Sequence, residues 1–155
     1  MPYLIDGHNL IPKLGLRLDS PDDEMELAAR LQAFSRLRRA QVEVYFDGAP
    51  PGQAGTRKLG ALTAHFIRLG ASADAALEVR LAKLGKQAKN WTVVSSDGRV
   101  ANAARAVHAG TMSSEEFALE MSKAQARGAV KTKNEAALSP GEVEEWLQFF
   151  EHKRG

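Results

Sequence analysis

Three apolar, β-forming segments of this chain each lead into an Asp-Gly dipeptide. The segments are rich in Val, Tyr, Phe and Trp, residue types that are typical of buried strands. They lie at residues 3–5, 41–46 and 91–96, and the dipeptides that follow are Asp6-Gly7, Asp47-Gly48 and Asp97-Gly98. This recurrence predicts three strands, each with an aspartate at its carboxyl end.

Segments with helical periodicity separate these strands. Ser20-Pro21-Asp22-Asp23 has the capping serine, early proline and early acids of a helix start, and apolar residues then recur at helical spacing over residues 22–40. Further helices are predicted from Ser72-Ala73-Asp74, over residues 99–108, from the capping box Ser113-Ser114-Glu115-Glu116 and from Ser139 to Phe150. A fourth strand is predicted over residues 62–69 and a short element at Thr111-Met112, with loops over residues 11–20, 49–58 and 124–139.

The alternation of strands and helices predicts an α/β fold. We expect a three-layer α/β/α sandwich with a central, mainly parallel sheet and right-handed crossovers. A chain of 155 residues is long enough for one such domain, so residues 1–155 are interpreted as a single domain with a loose connection to a C-terminal helix.

Composition excludes several kinds of site. The chain has no cysteine, which rules out disulfides, thiolate metal sites and cysteine nucleophiles. No apolar run approaches the length of a membrane-spanning helix and no secretory signal opens the chain, so a cytoplasmic protein without a membrane partner is expected.

The aspartates are expected to converge. In a parallel sheet the strands end at one edge, and the helices that follow begin there. We therefore expect Asp6, Asp47, Asp74 and Asp97 at this edge, with Glu78 one turn after Asp74 on the same helix face. All-oxygen ligands suit Mg²⁺ or Mn²⁺, ions that polarise a phosphodiester and activate water, and Asn9, Ser95 and Ser96 are candidates to orient ligands around them.

Each of these acids also has an ordinary structural interpretation. Asp6 can cap a turn and Asp74 can complement a helix dipole without any metal. His8 is interpreted as a hydrogen-bonded turn histidine with no assigned role in the site. It is the recurrence of the aspartates, and not any one of them, that favours a metal site.

Basic residues cluster although the formal net charge is only +2. Lysines recur at Lys83, Lys86 and Lys89, and six residues are candidates to hold an RNA backbone: Arg36, Arg39, Arg57, Lys58, Arg68 and Arg99. Solvated helix faces are the alternative explanation for these clusters.

Several segments together resemble a known family. Tyr3-Leu4-Ile5-Asp6-Gly7-His8-Asn9-Leu10 resembles the opening motif of YacP-like NYN domains, members of the PIN-like endoribonuclease superfamily. Further matches follow in order at residues 44–48, 72–74, 93–97 and 110–117, so the resemblance spans about residues 3 to 120. It implies a metal-dependent ribonuclease site with Asp6, Asp74 and Asp97 as the core metal ligands and with Asn9 and Asp47 beside them. Family members often carry paired acids at the Ser-Ala-Asp position, whereas Ala75 follows here and Glu78 is the candidate substitute.

Two classes of function follow. The leading hypothesis is a Mg²⁺- or Mn²⁺-dependent endoribonuclease that cuts single-stranded or flexible RNA such as mRNA. The alternative is a catalytically weak RNA- or ribosome-binding module with the same fold. A phosphatase acting on small phosphate esters is a third possibility, but the chain lacks an Asp-x-Asp pair after its first strand.

Overall fold

The computed structural model describes residues 2–16 and 21–131. The short apolar segments form one sheet, and helices pack on both of its faces. In this part of the chain the sheet has six strands: β1 Tyr3–Asp6, β2 Val42–Ala49, β3 Gly55–Leu59, β4 Leu62–Arg68, β5 Thr92–Val94 and β6 Gly110–Met112. The helices are α1 Gly7–Leu10, α2 Pro21–Arg38, α3 Ala73–Leu84, α4 Gly98–Ala106 and α5 Ser114–Lys131, with 3-10 turns at Ile11–Leu14 and Gly85–Asn90. Among the described helices, none is long and apolar enough to cross a membrane.

The sheet is mainly parallel, as the sequence predicts. Its strand order is β3-β4-β2-β1-β5-β6, and only β3 runs antiparallel to its neighbour. β1 lies between β2 and β5, with Tyr3 opposite Val42 on one side and opposite Thr92 on the other. The first strand of the chain therefore occupies the middle of the sheet, and Asp6 at its end lies among the other strand ends.

Two apolar clusters cover the two faces of the sheet. Because successive strand residues point to opposite faces, Ile5 and Leu4 belong to different clusters. Ile5 packs with apolar residues of α2 and α5, among them Phe34 and Phe117, whereas Leu4 packs with residues of α3 and α4 such as Leu77. This arrangement is the three-layer α/β/α sandwich.

Three loop predictions are wrong in part. Residues 7–14 form α1 and a 3-10 turn, so the predicted loop over residues 11–20 does not begin at Ile11. Residues 55–59 form β3, which pairs with β4 through the two-residue turn Gly60-Ala61. Residues 124–131 continue α5, because Ala124 is buried against the core. The predicted loop from residue 132 onward and the predicted helix from Ser139 lie outside the described residues.

The Asp-Gly dipeptides do not all terminate strands. β1 ends at Asp6, as predicted, but β2 continues through Asp47 to Ala49 with a register shift after Phe46. β5 ends at Val94, so Asp97 lies beyond the strand at the start of α4. All three aspartates nevertheless lie at the same edge, which we call the carboxylate edge and define by Asp6, Asp47, Asp74 and Asp97.

Candidate functional site

Asp6 is the most buried member of the carboxylate edge. It is only 7% exposed and directly precedes α1. Burial and, after it, the charge of Asp74 raise the pKa of its carboxyl to about 6, while hydrogen bonds from the Ser95 hydroxyl and the Asn9 amide partly oppose the rise. Burial is therefore the largest influence on the Asp6 carboxyl, and the backbone hydrogen bond from Asn9 is a smaller one.

Asp74 lies in the first turn of α3 but is not the cap of that helix. Ser72 has this role, because its hydroxyl oxygen accepts a hydrogen bond from the Ala75 amide at 3.1 Å. The pKa of Asp74 is raised, first by burial and then by the charge of Asp97, with Asp47 and Glu78 adding to the repulsion. A favourable helix dipole alone would lower this pKa, as does the charge of Arg99, so burial together with the neighbouring carboxylates outweighs both.

Ser95 links Asp97 to Asp6. The backbone amide of Asp97 donates a hydrogen bond to the Ser95 hydroxyl oxygen at 3.1 Å, and this hydroxyl donates to Asp6 Oδ2 at 3.3 Å. The Asp97 carboxylate itself accepts a hydrogen bond from the Arg99 amide at 2.8 Å and so caps α4. Ser95 therefore contacts two of the site aspartates.

His8 connects Asp47 to a residue that the sequence analysis missed. Its Nδ1 lies 2.7 Å from Asp47 Oδ1, and its Nε2 lies 3.1 Å from Glu24 Oε2. Burial lowers the pKa of His8, but its hydrogen bonds to the two carboxylates and their charges outweigh burial and raise it. His8 is hydrogen-bonded as predicted, but it lies in α1 and not in a turn. No spacing in the sequence indicates Glu24 as its partner, because Glu24 has the ordinary position of an acid early in a helix.

Asn9 and Ser96 hold backbone segments together. Asn9 Oδ1 accepts hydrogen bonds from the Ser96 amide at 2.8 Å and from the Ser114 hydroxyl at 2.5 Å. The Ser96 hydroxyl donates to Glu115, whose carboxylate also pairs with Lys13. These contacts join α1, the segment before α4 and the start of α5. The Ser96 side chain therefore contacts the start of α5, and a role for it in orienting ligands of the aspartates stays a prediction.

The predicted RNA-binding residues separate into groups. Arg68 ends β4 and Arg99 begins α4, so both lie at the carboxylate edge, where Arg99 pairs with Glu78 at 2.5 Å. Arg57 and Lys58 lie within the edge strand β3. Arg36 and Arg39 lie at the end of α2, and the following Gln41 accepts a hydrogen bond from the Tyr3 amide at the start of β1. Arg36 and Arg39 therefore lie at the opposite edge of the sheet from the aspartates.

The donor chemistry of the carboxylate edge fits a hard divalent cation. The donors are carboxylate oxygens, and the raised pKa of Asp6 and of Asp74 reflects burial and mutual repulsion that a cation would relieve. Within residues 2–16 and 21–131, however, no three His, Asp or Glu side chains are grouped closely enough to hold a metal ion. The edge therefore has suitable ligands that are not arranged as a closed coordination site.

Comparison with family models decides the classification. The model of the YacP-like NYN domain matches residues 3–150. The chain belongs to this family. The family has a PIN-like nuclease fold, which agrees with the mainly parallel sheet described above.

Solved structures are similar to this chain over almost its whole length. The crystal structure of Rae1 (YacP) from Bacillus subtilis superposes with a TM-score of 0.72 at 22% sequence identity and covers 99% of this chain and 94% of that chain. A single-substitution mutant of the same protein gives a TM-score of 0.66 at 20% identity, covering 96% and 91%. A comparison with curated proteins finds no match. At these identities the structural likeness establishes the shared fold.

Proposed function

We propose that the protein is a metal-dependent endoribonuclease that hydrolyses phosphodiester bonds of single-stranded RNA at the carboxylate edge. The observation that carries this proposal is the electrostatic coupling of Asp6, Asp74 and Asp97. Asp6 is buried with its pKa raised to about 6, and Asp74 interacts unfavourably with Asp97. Such a cluster opposes stability on its own and is a common feature of functional sites.

Asp6, Asp74 and Asp97 are the residues that would hold Mg²⁺ or Mn²⁺, with Asp47 and Glu78 beside them. When bound, the ion would activate a water molecule and offset negative charge on the phosphate that is attacked. This assignment takes its support from the oxygen-only donors of the edge and from membership of the YacP-like NYN family.

The surrounding residues would orient the acids and the substrate. Ser95 donates a hydrogen bond to Asp6 and so keeps one of its oxygens in a defined direction. His8 holds Asp47 at 2.7 Å and prevents this half-exposed carboxylate from rotating freely. Arg68 and Arg99 lie at the same edge, where their guanidinium groups would contact the RNA backbone without reading its sequence.

Cleavage of labelled RNA in Mn²⁺ by the parent protein and by Asp97→Asn tests the proposal. Asparagine caps helices as well as aspartate does, so this variant retains the start of α4 and removes only the charge. We expect the loss of at least about 100-fold in rate that is typical when a catalytic electrostatic group is removed. Glu26→Gln, which neutralises an exposed carboxylate paired with Arg30, is the matched control and should cleave like the parent. Equal cleavage by Asp97→Asn and the parent would contradict the proposal.

The second candidate is a catalytically weak RNA- or ribosome-binding module. Two observations favour it: Ala75 stands where a second acid is expected, and Glu78 is already paired with Arg99. Calorimetric titration with Mn²⁺ separates the two candidates. Binding by the parent that is lost in Asp6→Asn supports the nuclease, whereas heat that is absent in both supports the module.

A further inference from the structure

The helices α2 and α3 end at the edge of the sheet opposite the aspartates. α2 has 18 residues and is therefore about 27 Å long. At its end Gln41 accepts a hydrogen bond from the Tyr3 amide at 2.9 Å, and the Thr92 amide, which follows the 3-10 turn after α3, donates to the Pro2 carbonyl at 2.9 Å. The two turns therefore flank the start of β1, one on each side.

Positive charge is concentrated at these two turns. We call this surface the basic edge and define it by six exposed residues: Arg36, Arg38, Arg39, Lys83, Lys86 and Lys89. No aspartate or glutamate occurs in residues 27–42 or in residues 79–96. Arg38 is paired with Glu120. Within the described residues, the side chains of Arg39, Lys83, Lys86 and Lys89 make no hydrogen bond or ion pair. In the part of the chain that the structure describes, no carboxylate neutralises these four cations.

Complementation of helix dipoles explains only part of this pattern. Basic residues in the last turn of a helix are stabilising, which accounts for Arg36, Arg38 and Lys83. Lys86 and Lys89 follow α3 and lie three residues apart on a 3-10 turn, so that they share one side of it.

Arg39 follows α2 in a conformation that favours glycine. Its φ is 51°, and the next amide, that of Ala40, donates a hydrogen bond back to the Ser35 carbonyl at 2.9 Å. Glycine is the usual residue at this position of a helix end, and a side chain there costs about 1 kcal/mol. The sequence therefore keeps a cation at a position where the backbone favours glycine.

We propose that the basic edge is a second RNA-binding surface, which takes the phosphate backbone of a segment other than the one that reaches the carboxylate edge. This inference rests on the proposed function. The two edges are separated by about the length of α2, on the order of 27 Å, so an RNA that contacts both is long or folded. Lysine and arginine contacts to phosphates supply affinity without sequence preference.

Binding of a labelled, folded RNA, measured by fluorescence anisotropy in EDTA over a range of KCl concentrations, tests the inference. We expect Lys89→Gln and Arg39→Gly each to weaken binding and to reduce the slope of log K against log[salt] by about 0.7 to 1. Arg30→Gln removes one charge from the middle of α2 and is the matched control, with the slope of the parent. The melting temperature of Arg39→Gly should equal or exceed that of the parent, because glycine relieves the left-handed backbone.

Several outcomes would overturn the inference. The first is that the parent protein does not bind the RNA. The second is that Lys89→Gln and Arg39→Gly both keep the salt slope of the parent. The third is that Arg30→Gln loses as much affinity and slope as these two variants. Phosphatidylserine vesicles serve as a second probe, and vesicle binding that Lys89→Gln abolishes while RNA binding persists would assign the surface to a membrane instead. Because EDTA removes any divalent ion, this result is independent of cleavage. Failure of the nuclease proposal would appear separately, as an intact short RNA oligonucleotide after incubation of the parent with Mn²⁺.

Discussion

The glycines of the three Asp-Gly dipeptides are under different structural constraints. At Gly7 a Cβ atom would lie 2.5 Å from Phe46 Cε1 and 2.9 Å from the Tyr45 carbonyl oxygen, so the neighbouring strand leaves no room for a side chain. Gly48 has a φ of 78°, a left-handed conformation, at the irregular end of β2. Gly98 has neither constraint, since nothing lies within 4 Å of the position of its Cβ. Only the tertiary structure distinguishes these three glycines.

Gly7→Ala should destabilise the protein, whereas Gly98→Ala should not. The added methyl group at residue 7 must displace the buried ring of Phe46, and overpacking of this kind costs about 1–3 kcal/mol. Gly98 is the first residue of α4, where alanine is the better helix former. Urea denaturation of both variants measures the difference, and equal free energies of unfolding would contradict the crowding of Gly7.

Asp6 should make stability depend on pH. Its pKa is about 6 in the folded protein and about 3.8 in the unfolded chain, so the folded state binds the proton more tightly. Protonation therefore favours folding as pH falls from about 6 to 4, and the ionised carboxylate opposes folding above pH 6. In EDTA, Asp6→Asn should be more stable than the parent at pH 8, by on the order of 2 kcal/mol.

The advantage of Asp6→Asn should shrink towards pH 4.5, because the parent carboxyl is then largely protonated. Thermal unfolding at both pH values checks this, with Glu26→Gln as an exposed-carboxylate control that shows no comparable change. An Asp6→Asn variant that is less stable than the parent at pH 8 would show that Asp6 is stabilised by its surroundings.

At the scale of elements, Glu43 joins α3 to the middle of the sheet. Its buried carboxylate accepts two hydrogen bonds from Arg80 of α3, at 3.1 and 2.8 Å, and others from Tyr45 and His65. Burial raises the pKa of Glu43, but these hydrogen bonds outweigh it and hold the pKa at about 2. Arg80 also lies 5.4 Å above the ring of Trp91. This cluster positions α3, whose first turn carries Asp74, against the strand that carries Asp47.

Arg80→Met should destabilise the fold strongly. Removing the partner of a buried charge costs about 3–5 kcal/mol. Glu43 is buried but Arg80 is 32% exposed, and Glu43 keeps its hydrogen bonds from Tyr45 and His65, so we expect a loss near the lower value. The double variant Glu43→Gln/Arg80→Met should recover part of the loss, because no buried charge remains. Chemical denaturation measures both, and a double variant less stable than Arg80→Met would contradict this explanation.

At the scale of the whole molecule, a divalent cation should stabilise the fold if the carboxylate edge binds it. Binding to the folded state alone raises the free energy of unfolding by about 2.7 kcal/mol at a ligand concentration of 100 times Kd. The melting temperature of the parent should therefore rise with Mn²⁺, and that of Asp74→Asn should rise much less. Glu26→Gln should respond like the parent. A melting temperature that does not change with Mn²⁺ in the parent would contradict binding at this edge.

The elements that the sequence predicts well are those with strong local signals. β1, β2 and the starts of α2 and α3 follow from β-branched or aromatic runs and from capping residues. β3 was missed because Gly55-Thr56-Arg57-Lys58 has little strand propensity by itself, and pairing with β4 makes it a strand.

The candidate site likewise has features that local sequence predicts and features that depend on tertiary packing. The placement of Asp6, Asp47, Asp74 and Asp97 at one edge could be predicted, because it follows from the parallel arrangement of strands. Glu24 could not be identified as the partner of His8, because this contact depends on how α2 packs against α1 and the sheet. Glu78 was predicted beside Asp74, but its ion pair with Arg99 depends on the packing of α3 against α4.

The sequence by itself determined the alternation of the main strands and helices, though not α1 or β3, and the edge that receives the aspartates, since periodicity, capping and parallel topology are local or nearly local properties. The tertiary structure alone decided which charges share a surface. Arg36 and Arg39 appeared in the sequence as candidates for the same surface as Arg99, yet the length and direction of α2 carry them to the opposite edge. The physical reason is that a charge pattern specifies no direction in space until the helices that carry it pack on the sheet.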